Sequence, residues 1–156
     1  MKKLLEGVAV FNAVLRVLAF MGQRRVFNRA TQFVTTQAAL LNVALNKPGK
    51  ASTPEALAQK WQQMMPPKAK HRFPIKTANQ HTAIIEIHVH CPLRGTGNPH
   101  ACHRLMNYDR KLMEKVGGQL VVLDSQSNSG KPYCTLAIRP QGQPIDDLVP
   151  AHKKAN

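Results

Sequence analysis

An α+β domain is what this sequence predicts, with N-terminal helices packed on a small, mainly antiparallel sheet and one helix lying between strands. Three observations carry that expectation. The first 66 residues repeat apolar side chains at helical spacing. TAIIEIHVH (82–90) alternates apolar and polar residues as a half-buried strand does. Two later apolar runs, QLVVLD (119–124) and PYCTLAIRP (132–140), flank a turn-rich SQSNSGKP.

Each element has its own warrant. Leu4, Val8, Phe11, Val14, Leu15 and Leu18 recur at helical intervals, and Gly22 closes the run. A second helix over 24–46 starts with Arg24, Arg25 and Arg29 and carries Phe33, Ala38, Leu41 and Leu45. Asn46-Lys47-Pro48-Gly49 ends it. Ser52 with Glu55 reads as a capping box for a third helix running to about Met65, where Pro66-Pro67 stops it. Residues 66–80 are basic and polar and read as a loop. Cys91 opens a Gly/Pro loop, Pro99 suits the first turn of a helix over 99–116, and Gly117-Gly118 terminates it. The two last strands form a hairpin. Residues 1–139 thus read as one domain, with a basic helical part (1–66) and a cysteine-containing part (82–139). The tail 140–156, rich in Pro and Gly, reads as irregular.

Charge is the compositional outlier: 22 Lys and Arg stand against 8 Asp and Glu, a net charge of +14. Residues 1–80 hold only Glu6 and Glu55 as acids. Such a surface attracts polyanions: an anionic membrane, an acidic protein partner or nucleic acid. Aromatics make up only 5% of the chain, which makes a base-stacking nucleic-acid surface the least expected of the three. Glu6 and Arg16 interrupt the N-terminal apolar run, so neither a cleavable signal nor a spanning helix is expected, and a helix lying on a membrane surface stays open. Three cysteines cannot all pair internally, so reduced thiols and a cytoplasmic location, peripheral to the membrane, are expected.

The chemistry-bearing residues lie in the C-terminal half. On the helix 99–116, Cys102, Met106, Asp109, Met113 and Val116 share one stripe, and Asp109 is the sole formal charge on it. A carboxylate among methionines is costly unless it works as a base, anchors a cationic ligand or is internally paired. Cys102 sits in the first helical turn, where the helix dipole lowers a thiol pKa, and His103 adjoins it. Cys134 faces inward on its strand. Two readings stay open: a nucleophilic pocket of Cys102 and Asp109 lined by Cys91, Cys134 and His103, or a metal site of Cys91, Cys102, Cys134 and His90. The latter would hold zinc or an iron–sulfur cluster, although the ligands lack a CxxC spacing.

Cys91-Pro92, Cys102, Asp109 and Gly130-Lys131-Pro132-Tyr133-Cys134 together resemble the L-2-amino-thiazoline-4-carboxylic acid hydrolase family, over residues 82–139 only. GKPYC is also similar to the ending of 4-vinyl reductase-type domains, related to small-molecule sensor domains. Gln126 stands where the latter pattern has cysteine, and Met106 where the former often has one. The resemblance implies hydrolytic opening of a small cyclic C–N compound, with Cys102 as nucleophile and Asp109 as base or anchor. The alternative expectation is a non-catalytic metal- or ligand-binding accessory subunit. It would dock through its basic helices onto a larger protein complex or an anionic membrane.

Overall fold

The structure, a computed structural model, describes the backbone of residues 2–154 and the side chains of residues 13–154. The helical repeat read at Leu4, Val8 and Phe11 falls outside the described side chains. The fold is α+β, as the sequence predicts. Helices α1 (Lys2–Gln23), α2 (Asn28–Asn46) and α3 (Pro54–Gln63) come first. Then follow β1 (Ile75–Ala78), β2 (Ala83–Ile87), α4 (Pro99–Leu105), α5 (Asn107–Val116), β3 (Gly118–Asp124) and β4 (Cys134–Pro140). The sheet order is β1-β2-β4-β3, and every neighbouring pair is antiparallel.

Several boundaries differ from the sequence reading: β2 stops at Ile87 short of His90, α2 begins at Asn28 after a 3-10 turn at Arg25–Phe27, and four more differ for a local reason. The third helix is capped one residue later than expected: the Thr53 side chain accepts from the Ala56 N–H, and Pro54 occupies the first turn. The basic stretch 66–80 is not all loop. It contains a 3-10 turn, Pro67–Arg72, and the edge strand β1, whose mostly exposed IKTA carries no alternation to read. The helix 99–116 breaks at Met106 into α4 and α5. In the tail, Ala151 is buried in the main core and a 3-10 turn spans Ala151–Lys153. Arg139 holds the tail with a two-pronged bond to Asp147, 2.6 Å on each arm.

The main core lies where α3 and α5 cover the sheet. Leu57, Trp61, Ile85, Leu112, Met113, Val116, Leu136 and Ile138 are fully buried there. Each such side chain contributes on the order of 1.5–3 kcal/mol by leaving water. Gly118 allows the closest approach, because a Cβ there would lie 2.7 Å from Met113 and 3.0 Å from Leu57. A smaller cluster of Ala19, Leu93, Ala101 and Cys102 ties α1 to the 91–98 loop and α4. At that crossing, Arg104 Nε donates to Gly22 O over 2.7 Å.

Helix α2 is built inside out. The side it turns to α5 carries Thr31, Thr35 and Ala39, all buried. Asn107 Nδ2 donates to Thr35 Oγ1 (2.9 Å) and Thr36 Oγ1 (3.0 Å), and Asn42 Nδ2 donates to Tyr108 Oη (2.6 Å). Among the described residues the buried Thr31 hydroxyl has no hydrogen-bond partner, a defect costing about 1–3 kcal/mol. The apolar residues that mark this helix in the sequence face solvent: Phe33 is 65% exposed, Leu41 60% and Leu45 74%.

Candidate functional site

The three thiols converge from separate elements. Cys91 opens the loop after β2, Cys102 lies in α4, and Cys134 starts β4. Gln126, fully buried, joins their supports. Its side-chain Nε2 donates to Val89 O (2.8 Å), its Oε1 accepts from the Cys91 N–H (3.3 Å), and its own N–H donates to Cys134 Sγ (3.4 Å). The two loops interlock further, with the Gly95 N–H on Gln126 O (3.0 Å) and the Gly97 N–H on Ser127 O (2.8 Å). The sequence reading treats Gln126 only as a missing cysteine. A glutamine in a serine-rich turn between two strands is the signal that a polar strut was needed there.

Burial dominates the electrostatics of this cluster. It pushes the Cys102 thiol up to about 12, helped by the charges of Cys134, Cys91 and Asp109, while the Ser125 side chain pulls the other way. Cys134 is pushed up to about 11, again mainly by burial, and Cys91 is also raised. The helix dipole expected to activate Cys102 is outweighed by loss of water around the sulfur. All three thiols are free and protonated at neutral pH. We expect a disulfide reagent such as DTNB at pH 8 to modify the half-buried Cys91 first. Cys102 should react about a thousandfold more slowly than an ordinary thiol, in proportion to its thiolate fraction. Mass analysis of labelled peptides over time reads this order directly.

Asp109 is 9% exposed, and Trp61 Nε1 donates to its Oδ1 over 3.0 Å. The Trp61 indole is thus its side-chain hydrogen-bond partner, and a backbone hydrogen bond and the Arg110 charge also act on it. Burial raises its pKa to about 6, against the opposing pull of the Trp61 bond and the nearby Arg110 charge. Arg110 itself turns to His103, donating to the backbone O over 2.7 Å. His103 is lowered to about 4, first by burial and then by Arg110, His152, His100 and Arg104. Its ring packs on His152 of the tail with centroids 3.8 Å apart. His103 is thus neutral and engaged with the tail.

The metal set of Cys91, Cys102, Cys134 and His90 is not assembled. Among the described residues, no three His, Cys, Asp or Glu side chains are placed to share a metal ion. The physical reason is plain for His90, which is exposed and lines a cleft with Arg16 and Arg72 instead. The donor set therefore does not fit zinc or an iron–sulfur cluster, and no chemistry is routed through either.

Two clefts on the described surface are lined by neither a thiol nor Asp109. One, of about 270 Å³, lies between α2 and α5 beside Arg29, Phe33, Asn107 and Lys111. The other, of about 180 Å³, is lined by Leu15, Arg16, Arg72, Val89, His90 and Pro92.

The most extended surface feature is helical. On α1, Val14, Val17 and Phe20 are exposed; at the α1–α2 junction, Val26 is 81% exposed beside Phe27; on α2, Phe33, Val34, Leu41 and Leu45 follow. Cations border these side chains. Arg24 lies over the Phe20 ring at 4.5 Å, Arg25 and Arg29 flank Val26 and Phe27, and Lys47 and Lys50 follow α2. No acid occurs between Glu6 and Glu55. Among the described residues, no helix is long and apolar enough to cross a membrane. Compared with known proteins, the chain matches no family model, no curated protein and no solved structure. The hydrolase resemblance thus stands on its short motifs alone.

Proposed function

We propose that this protein is a non-catalytic accessory domain that docks peripherally on an anionic membrane through the outer faces of α1 and α2. The inverted polarity of α2 carries the reading. A helix that buries Thr31 and Thr35 and leaves Phe33, Leu41 and Leu45 in water is held by α5 bonds to Thr35, Thr36 and Asn42 and by Ala39 in the main core, and its apolar side gains by entering lipid. The basic border supplies attraction to acidic headgroups, worth about 1 kcal/mol per cation near the surface. A second copy of the chain suits this face poorly, because pairing would bring one cationic border against another.

Vesicle sedimentation tests the reading. Binding is expected to vesicles of mixed phosphatidylcholine and phosphatidylglycerol, weakened but not abolished by high salt, since the apolar part is not screened. Equal indifference to anionic and zwitterionic vesicles would refute it. So would a salt-resistant dimer that occupies the same face, or binding only to an acidic protein partner.

Hydrolysis of a small cyclic C–N compound is the second reading, favoured by the gathering of Cys102, Cys134 and Cys91 near the buried Asp109. It requires Cys102 as a thiolate. The labelling order given above therefore separates the two: rapid modification of Cys102 in the folded protein would favour the hydrolase.

A further inference from the structure

We propose that the cleft between α1, the 3-10 turn before β1 and the loop after β2 is a binding site for a phosphomonoester. Three basic side chains meet there from segments far apart in sequence: Arg16, Arg72 and His90. The remaining lining residues are Leu15, Val89 and Pro92, with no carboxylate among them. Among the described residues, neither arginine forms an ion pair with an acid, although the ion pairs at Lys76, Lys111, Lys131, Arg139 and Lys154 show that acids are recruited elsewhere. Two arginines with no carboxylate among the lining residues give the cleft a positive potential that favours an oxyanion, and His90 adds a ring N–H donor.

The supports are fixed in advance. The Arg72 carbonyl accepts from the His88 N–H over 2.8 Å, and the next residue, Phe73, is buried in the main core. On the other wall, Gln126 Nε2 holds Val89 O, and its Oε1 holds the Cys91 N–H on the far side of His90. The backbone carrying Arg72 and His90 is therefore ordered without ligand, which lowers the entropy cost of binding. Guanidinium forks match phosphoryl oxygens two at a time. The apolar residues leave room in about 180 Å³ for a short carbon group on the ester. This chemistry is shared by a soluble phosphomonoester and by the headgroup of phosphatidic acid. The site does not depend on the membrane reading, since it uses a cleft rather than the outer face of α2.

The experiment is an NMR titration of the full chain, following the arginine side-chain N–H and histidine ring signals. Glycerol 3-phosphate is added in one arm, short-chain phosphatidic acid in another, and sodium chloride at matched ionic strength in a third. Saturable shifts at Arg16, Arg72 and His90 are expected, together with at least a tenfold loss of affinity in Arg72→Gln, as for a charged hydrogen bond worth about 1.5–3 kcal/mol. Saturation by glycerol 3-phosphate assigns a soluble ligand, and saturation by phosphatidic acid alone assigns a lipid source; either supports the site. The same shifts with sodium chloride, no saturation in any arm, or unchanged affinity in Arg72→Gln would overturn it. Arg72→Gln should still bind phosphatidylglycerol vesicles, so failure here is distinguishable from failure of the docking reading.

Discussion

Replacing Asp109 with asparagine will make this protein more stable at pH 7.5, by up to about 3 kcal/mol, and leave it nearly unchanged at pH 4. Asparagine keeps an oxygen for the Trp61 indole and removes the buried charge. The sign follows from proton linkage. The carboxyl of Asp109 has an ordinary value of 3.8 and is raised to about 6 in the fold. Below about pH 4 both states are protonated and the group contributes nothing. Between 4 and 6 the folded state holds the extra proton, so stability falls as pH rises; above 6 the full penalty is present. The shift corresponds to about 3 kcal/mol at about 1.4 kcal/mol per unit. That should raise Tm by roughly 6–12 °C at neutral pH for a chain of this size. His103 runs the other way. Its value is lowered from 6.5 to about 4, so it contributes fully above 6.5 and loses stability as pH falls toward 4. Because His103 is only half-buried, solvent screening makes its share the smaller one. The wild-type profile should therefore decline as pH rises from 4 to 6.5, with His103 offsetting part of the Asp109 loss. Asp109→Asn should decline toward acid, and His103→Gln should decline toward neutral pH. Thermal melts across that range decide it. A less stable Asp109→Asn at pH 7.5 would mean that the charge supports the fold. A more stable one means that the carboxylate is kept at a cost, as groups with a task are.

The stripe from Cys102 to Val116 was legible because helical periodicity survives the break at Met106: Cys102, Asp109, Met113 and Val116 are all buried. The convergence of the thiols was legible only as a possibility of composition. What positions them is Gln126, whose bonds to Val89, Cys91 and Cys134 cross 37, 35 and 8 residues of chain and leave no local pattern. The thiol activation expected from the helix start failed because position in a helix is readable in sequence and burial of a sulfur is not. β1 was missed because an edge strand with one half-buried side chain has nothing to alternate. The metal set failed on geometry: His90 is exposed and lines a cleft with Arg16 and Arg72. The second helix was the sharpest case. Its period shows in the sequence, but the usual rule that assigns the apolar stripe to the core does not give its inward side. Asn107 and Tyr108 on α5 overrule that by bonding to Thr35, Thr36 and Asn42.

That inversion sets up the second large effect. Leu41→Asp combined with Leu45→Asp should lower binding to phosphatidylglycerol-containing vesicles by at least a hundredfold while leaving the fold intact. Each leucine contributes about 1.5–3 kcal/mol when it leaves water, so losing both removes roughly 3–6 kcal/mol even before the new charges meet acidic headgroups. In solution the same pair costs little. Both side chains are largely exposed, and the expense is a modest loss of helix propensity, about 0.5 kcal/mol each. Arg24→Gln with Arg29→Gln should act differently, weakening binding by about 1 kcal/mol per charge and flattening its salt dependence. The two double variants thus separate the apolar from the electrostatic share of one surface. An ordinary core leucine offers the contrast: Leu57→Ala, fully buried under the sheet, should cost about 2–5 kcal/mol of folding stability. If Leu41→Asp/Leu45→Asp instead destabilises the isolated protein as Leu57→Ala does, the stripe is internal to the fold in solution and the membrane reading loses its foundation. If it leaves stability and vesicle binding both unchanged, α2 is exposed but is not the docking element.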